Sequence, residues 1–367
     1  MEKLYELDDI TLLPSSVNAG YLIGKPNLVV EDREDVTGIS KSLPIFTSPM
    51  EAIVSEENAK VFQDNGIKPI LPLTEPLQVR LKYCQWIFCS FSIKEVRANF
   101  MEQNKTGIKS QFHICIDAGN GHDKNLLDLC SNLKQLYGGQ VILMCGNVGS
   151  PETYSLYSRA GIDYMRVGIA SGSLVDRDKF GFHFPMASLL EGIKNFKKTG
   201  GVGLPKKVKI VADGGINSPV DIIKALALGA DYVMIGRQFA KLVEAAGTVY
   251  KKGKTPNGDR TTDEIDPSTL RGVDGLHAKV NGLCRQYYGN TSPEMRAIRD
   301  GYNDIDAWKR AKGKGKFNDT AWVWIDIDCN LSEWLMEFEQ AVNYAFMMTG
   351  TNNWEDFKKT VRYGLIR

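Results

Sequence analysis

Acids and glycines close several apolar runs of this chain, and their order suits a ligand that carries a phosphate and a sugar. Asp213 ends the run VKIVAD and is followed at once by Gly214 and Gly215. Gly236 ends DYVMIG and precedes Arg237, while Gly172 and Ser173 follow a third run, DYMRVGI. Glycine lets backbone amides come close to a phosphate, and the unpaired amides of a helix start attract anions. Three such loops on neighbouring strands would converge on one phosphate, and Arg237 would add a bidentate donor. A carboxylate closing a strand, as Asp213 does, can accept both hydroxyls of a ribose; the alternative is a structural cap. Asp117 in HICIDAGNGH stands in the same situation and would orient a second ligand. Asn147 and Arg166 are candidates to line the same bowl, with Arg166 either facing the ligand or paired with a neighbouring acid. Cys145 closes VILMC and is either a thiol within reach of a ligand ring or a buried, inert one.

The elements that must carry these residues form a repeating pattern. Eight short apolar runs read as buried strands, at 44–48, 69–73, 86–92, 113–117, 141–145, 163–169, 208–213 and 231–236. Helical patterns lie between several of them. Residues 55–65 open with a Ser-x-x-Glu-like start, 124–137 repeat apolar positions at three and four, and 218–229 begin Ser-Pro and end at Gly. Strands of that length alternating with helices predict a parallel sheet covered by helices. Eight units over roughly 250 residues predict a (β/α)8 barrel in a single domain spanning 1–367. No Gly-x-Gly-x-x-Gly follows the first strand, which disfavours an open dinucleotide-binding sheet. Long loops follow strands six and eight, and 248–320 reads as a flap or insertion on the C-terminal face. The tail 331–350 has the period of a closing helix, with Trp334, Phe338 and Tyr344 expected in the core.

Composition bounds the rest. The 367 residues carry 45 Lys and Arg against 44 Asp and Glu, with 43% hydrophobic residues, so a disordered chain and a general polyanion binder are both disfavoured. No run of about 18 apolar residues suggests a membrane span, and the acidic start does not read as a signal peptide. Seven cysteines without a Cys-x-x-Cys, several inside apolar runs, fit reduced thiols. Four scattered histidines give no metal-ligand spacing. A cytoplasmic protein without a metal centre is the expectation.

A resemblance then becomes specific. SLPIFTSPMEAI (42–53), IDAGNGH (116–122), CGNVGSPET (145–153), AGIDYMRVGIASGS (160–173), the stretch 211–236 and YYGNTS (287–292) look like successive motifs of the IMP dehydrogenase and GMP reductase family. The Asn120–Gly121 pair resembles the reductase branch, as does the direct run from strand two to strand three. The resemblance implies a purine nucleoside monophosphate held by Gly172, Ser173, Asp213, Gly214, Gly215, Gly236, Arg237, Tyr287 and Gly289. It implies NADP or NAD beside Asp117, Asn120 and Gly121, a monovalent cation, and a homotetramer. It also exposes departures. The family's loop after strand six reads Gly-Pro-Gly-Ser-x-Cys-Thr-Thr, and its cysteine attacks the purine. This chain has Ala170-Ser171-Gly172-Ser173-Leu174-Val175-Asp176-Arg177, so Val175 replaces the nucleophile and Asp176 a threonine. Three readings follow. The first is altered, non-cysteine chemistry using Asp176, Asp178 or Cys145, although the two acids flanking Arg177 equally suit a solvated loop. The second is a catalytically silent nucleotide-binding or regulatory homologue. The third is a true GMP reductase or IMP dehydrogenase with a substitute nucleophile.

Overall fold

Strands buried on both faces must find partners on both edges, and here eight of them do so by closing on themselves. In the structure, a computed structural model, the described residues are 3–15, 25–32, 41–101, 107–172, 181–198, 208–254, 260–265, 278, 281–289, 297, 310 and 323–366. Strands β1 (Ile45–Thr47), β2 (Ile70–Leu71), β3 (Phe88–Phe91), β4 (Phe112–Asp117), β5 (Val141–Val148), β6 (Tyr164–Val167), β7 (Lys209–Asp213) and β8 (Tyr232–Ile235) form one parallel sheet. From β2 to β8 each pairs with its successor. β8 pairs back onto β1, with Val233 opposite Ile45. A bridge from Phe46 to Lys68, just ahead of β2, completes the ring. The expected (β/α)8 barrel is therefore the fold.

Helices α1 (Ala59–Asp64), α2 (Leu77–Tyr83), α3 (Ile93–Phe100), α4 (Lys124–Tyr137), α5 (Pro151–Arg159), α6 (Met186–Lys198) and α7 (Pro219–Leu228) fill the crossovers. Their starts are encoded locally. Ser92, Asp123, Ser150 and Ser218 each accept a backbone N–H of the first turn, and Pro151 and Pro219 sit where no donor is needed. The first helix differs from expectation: Ser55 is not its cap, and α1 begins four residues later, after Asn58. Asn58 instead donates to the carbonyls of Ile53 and Glu244, tying the turn after β1 to the end of the barrel.

Beyond β8 come α8 (Arg237–Ala240), then an element that the sequence pattern missed. Strands β9 (Val249–Lys254), β10 (Arg260–Ile265), β11 (Leu283–Tyr287) and β12 (Val323–Asp326) form an antiparallel sheet in the order β10-β9-β11-β12. Fully buried Arg285 of β11 donates to the carbonyls of Ala240, Leu242 and Ala245, pinning this sheet to the chain that leaves β8. Two helices, α9 (Leu331–Thr349) and α10 (Trp354–Thr360), follow. Trp334 and Phe338 stack in the core as expected; Tyr344 does not, being 61% exposed on the outer side of α9. No described helix is long and apolar enough to cross a membrane.

The core has two layers. Phe46, Phe88, Tyr164 and Tyr232 meet inside the barrel with ring centroids 5.2–5.6 Å apart, and a larger aliphatic layer lies between strands and helices. Buried thiols belong to both layers. Desolvation pushes Cys84 and Cys115 up to about 12, whereas an unfolded thiol titrates at about 8.5. The folded chain therefore holds more protons between those values, and its stability is full below them and lost as pH rises. Each thiol is expected to contribute a decline of about 1.4 kcal/mol per pH unit. Urea unfolding at about pH 7 and about pH 10 checks this, and Cys115→Ala should flatten the decline.

Candidate functional site

Arg166 organises the C-terminal mouth of the barrel. It stands on β6, is only 5% exposed, and lies between the acids that close β4 and β7. Its Nη1 donates to Asp117 Oδ1 at 3.0 Å, while Nε and Nη2 donate to Asp213 Oδ2 at 3.0 and 2.8 Å. Asn147 on β5 donates to the same Asp213 oxygen at 2.7 Å and to the Gly168 carbonyl at 3.0 Å. The two carboxylates hold the Arg166 guanidinium well above its ordinary range, against the opposing effect of burial. The sequence left Arg166 open between lining the bowl and pairing with an acid; it does both. Asp213 thus spends Oδ2 on the floor, and among the described residues no hydrogen bond engages Oδ1.

Above this floor is a cavity of about 210 Å³. The loop after β6 contributes Gly168 to Gly172, and the loop after β7 contributes Asp213 to Asn217. Gly236 and Arg237 reach it from β8, and Tyr287 and Gly289 from the end of β11. Gly172, Asp213, Gly214, Gly215, Gly236, Arg237, Tyr287 and Gly289 are therefore brought to one place, with Asp117 at its edge. Among the lining glycines, Gly168, Gly214 and Gly236 sit where a side chain has no room. A Cβ on Gly214 would meet Ser171 at 2.8 Å, and one on Gly236 would meet Tyr287 Oη at 2.5 Å. Burial raises the Tyr287 phenol above its usual range, so at neutral pH it is a neutral donor. Among the described residues, the charged side chains lining the cavity are Asp117, Arg166, Asp213 and Arg237. Arg166 is matched by its two acids, which leaves Arg237, among these, as a cation available to an anionic ligand.

A second cleft of about 490 Å³ adjoins the first along Asp117, Ala118 and Gly119. Asn120 lines it, together with Lys94 and Arg97 of α3. Gly121 does not line either space. It lies beneath the Asn147 carbonyl, which accepts its N–H at 2.9 Å and would sit 2.5 Å from an added Cβ. Glycine there serves close approach of two loops. Ser48 and Met50, at the end of β1, also line the cavity. They lie within the SLPIFTSPMEAI motif but had not been singled out.

The thiols are elsewhere. Cys145 is fully buried in the layer between strands and helices, beside Cys130 of α4, and burial raises it well above the ordinary thiol range. None of the seven cysteines lines the cavity. Cys115 Sγ lies 3.8 Å from Arg166 Nη1 beneath the floor, and the residue is fully buried. Ser173, Val175, Asp176 and Asp178 lie outside the described residues. Among the described residues no group of three His, Cys, Asp or Glu is arranged to hold a metal ion.

Comparison with known proteins identifies the family. The profile of the IMP dehydrogenase / GMP reductase domain matches residues 95–261. A GMP reductase from Clostridium acetobutylicum is 30% identical over 272 residues, covering 69% of this chain and 76% of that one. The chain belongs to the IMP dehydrogenase / GMP reductase family. Other members align along its length: GMP reductases of Helicobacter pylori (28% identical, covering 100% of this chain and 96% of that one) and Exiguobacterium (26%, 100% and 97%). Among solved structures, inosine 5′-monophosphate dehydrogenase from Legionella pneumophila shares the fold, with TM-score 0.70 at 20% identity over 100% of this chain and 99% of that one. The family's matched region, 95–261, contains Asp117, Asn147, Arg166, Asp213 and Gly236, the framework of the cavity.

Proposed function

We propose that this family member binds a purine nucleoside 5′-monophosphate in the cavity above Arg166. The observation that carries the reading is the convergence of three glycine-bearing strand ends, one available arginine and one ribose-competent carboxylate on a single cavity. In this reading Arg237 and the amides of the loops after β6 and β7 neutralise the phosphate. Asp213 accepts the sugar hydroxyls through Oδ1, because Arg166 and Asn147 already hold Oδ2. Tyr287 donates from the roof. The names of the relatives point to GMP or IMP as the ligand class.

The adjoining cleft suits a nicotinamide cofactor. It opens from the cavity at Asp117 and offers Lys94 and Arg97 to phosphates, with Asn120 between. Such a cofactor would supply or accept a hydride. Asp117 would hold the seam between the two ligands, and Arg166 would keep that carboxylate ionised and in place. Purine redox chemistry here would run without a cysteine, because none reaches the cavity and Val175 occupies the family's nucleophile position. Asp176 or Asp178 would then serve as acid or base. The same absence favours a second reading, a binder without turnover. Assembly into homotetramers belongs to the family resemblance.

The test is calorimetric titration with IMP, GMP, XMP, AMP and their deoxy forms, alone and with NAD(H) or NADP(H), followed by nicotinamide absorbance. Selective binding strengthened by one cofactor, with an absorbance change, supports the redox reading; binding without turnover supports the second. No binding by any monophosphate sinks both. Asp213→Asn should weaken nucleotide affinity by about 1–3 kcal/mol, through loss of charge-assisted hydrogen bonds. An unchanged affinity would remove Asp213 from the ligand's contacts.

A further inference from the structure

The loop after β6 is held in a shape it would not adopt alone. Gly168 has φ +125° and Ala170 has φ +55°, a left-handed conformation that costs a residue with a Cβ about 1 kcal/mol or more. Hydrogen bonds must therefore keep the turn closed. Gly168 N–H donates to Val148 O at 2.9 Å, and the Ile169 carbonyl receives His183 Nδ1 at 3.0 Å. The other ring nitrogen, Nε2, lies 2.6 Å from Glu6 Oε1. The ring therefore bridges the Ile169 carbonyl and the Glu6 side chain.

Glu6 is itself fixed from two sides. Its Oε2 accepts the Met186 N–H at the start of α6, at 3.0 Å, and its own backbone N–H donates to Asp9 Oδ2 at 3.0 Å. Tyr5 and Ser188 exchange two further hydrogen bonds alongside. The side chains of His183 and Glu6 are 17% and 28% exposed, so the contact between them is partly sheltered from solvent. Among the described residues, the charged groups bonded to this ring or to its carboxylate's residue are Glu6 and Asp9 from the N-terminal segment. The loop after β6 offers only the Ile169 carbonyl and α6 only the Met186 amide.

We propose that His183 is a positioning residue: anchored by Glu6, it holds residues 168–172 in the form that receives the nucleotide phosphate. Its effect on affinity rests on the nucleotide reading above, whereas its effect on the loop does not. Loss of either ring contact would uncouple the N-terminal segment from the loop.

The experiment uses the full chain and two variants, His183→Gln and Glu6→Gln, with IMP and GMP as probes. At one fixed pH both variants are expected to bind about tenfold more weakly than the parent. Parent-like affinity in both variants would overturn the proposal. Amide hydrogen exchange without nucleotide gives an independent reading. Peptides covering 168–172 should exchange faster in both variants at fixed pH. Unchanged exchange in both overturns the clasp whether or not a nucleotide binds. Faster exchange together with no binding by the parent would instead support the clasp and sink the nucleotide reading.

Discussion

Replacing Arg166 by Met is expected to lower stability by about 3–5 kcal/mol at neutral pH, the range found when one partner of a buried ion pair is removed. The methionine fills the space of the arginine stem, so the loss is electrostatic more than steric. Asp117 and Asp213, which now share one guanidinium from opposite sides, would both lose that shared cation. Asn147 alone cannot replace it: one amide N–H reaches Asp213 and the other is engaged by Gly168. Arg166→Lys should also be harmful, because an ammonium lacks the planar fork that spans both carboxylates. Urea unfolding of both variants reads the effect, and nucleotide titration of whatever remains folded should show weakened binding, since Asp213 loses its orientation. A loss under about 1 kcal/mol for Arg166→Met would mean that the two acids are hydrated well enough to stand without a cation.

Why this floor escaped a firm reading in the sequence is instructive. Asp117 and Asp213 were visible because each acid interrupts an otherwise apolar run, and a strand buried on both faces leaves such an interruption conspicuous. Arg166 also interrupts its run, YMRVGI, yet one-dimensional spacing does not say which strands are neighbours across a barrel. The guanidinium skips from β6 to β7 on one side and to β4 on the other, and only ring closure makes that geometry. Helix limits were legible where caps are local, as at Ser218, Pro219 and Gly229. They were misread at Ser55, where the side chain that closes the turn belongs to Asn58 and its partners lie five and 186 residues away.

Two other elements were hidden for different reasons. The antiparallel sheet beyond β8 includes Val249–Lys254, whose sequence VYKKGK carries charge and glycine rather than alternating apolar residues. Its stability comes from pairing with β10 and β11 and from the Arg285 anchor, none of which is a local signal. Tyr344 illustrates the opposite error. Its helical period is genuine, but α9 buries one face against α7, and position 344 falls on the other. The clasp between His183 and Glu6 spans 177 residues and follows no motif at all.

The second large effect is expected from Gly214→Ala, which should cost about 2–4 kcal/mol in stability and about 100-fold in nucleotide affinity. Gly214 has φ +100°, so any side chain brings backbone strain. The added Cβ would also lie 2.8 Å from the carbonyl carbon and Cβ of Ser171 and 2.9 Å from Gly172 N. These are backbone and near-backbone atoms of the loop after β6, not the tip of a side chain that can swing away. Relief requires the two loops to part, and they are the walls of the phosphate end of the cavity. Gly229→Ala is the matching control. It too has positive φ, +115°, at the C-cap of α7, but its Cβ would meet only the methylenes of Lys194, at 3.2–3.4 Å. That variant should lose stability and keep its affinity. Equal losses of affinity in both would trace the effect to global weakening. Full affinity in Gly214→Ala would mean that no phosphate lies between these loops, and the anion would have to be sought at Lys94 and Arg97 instead.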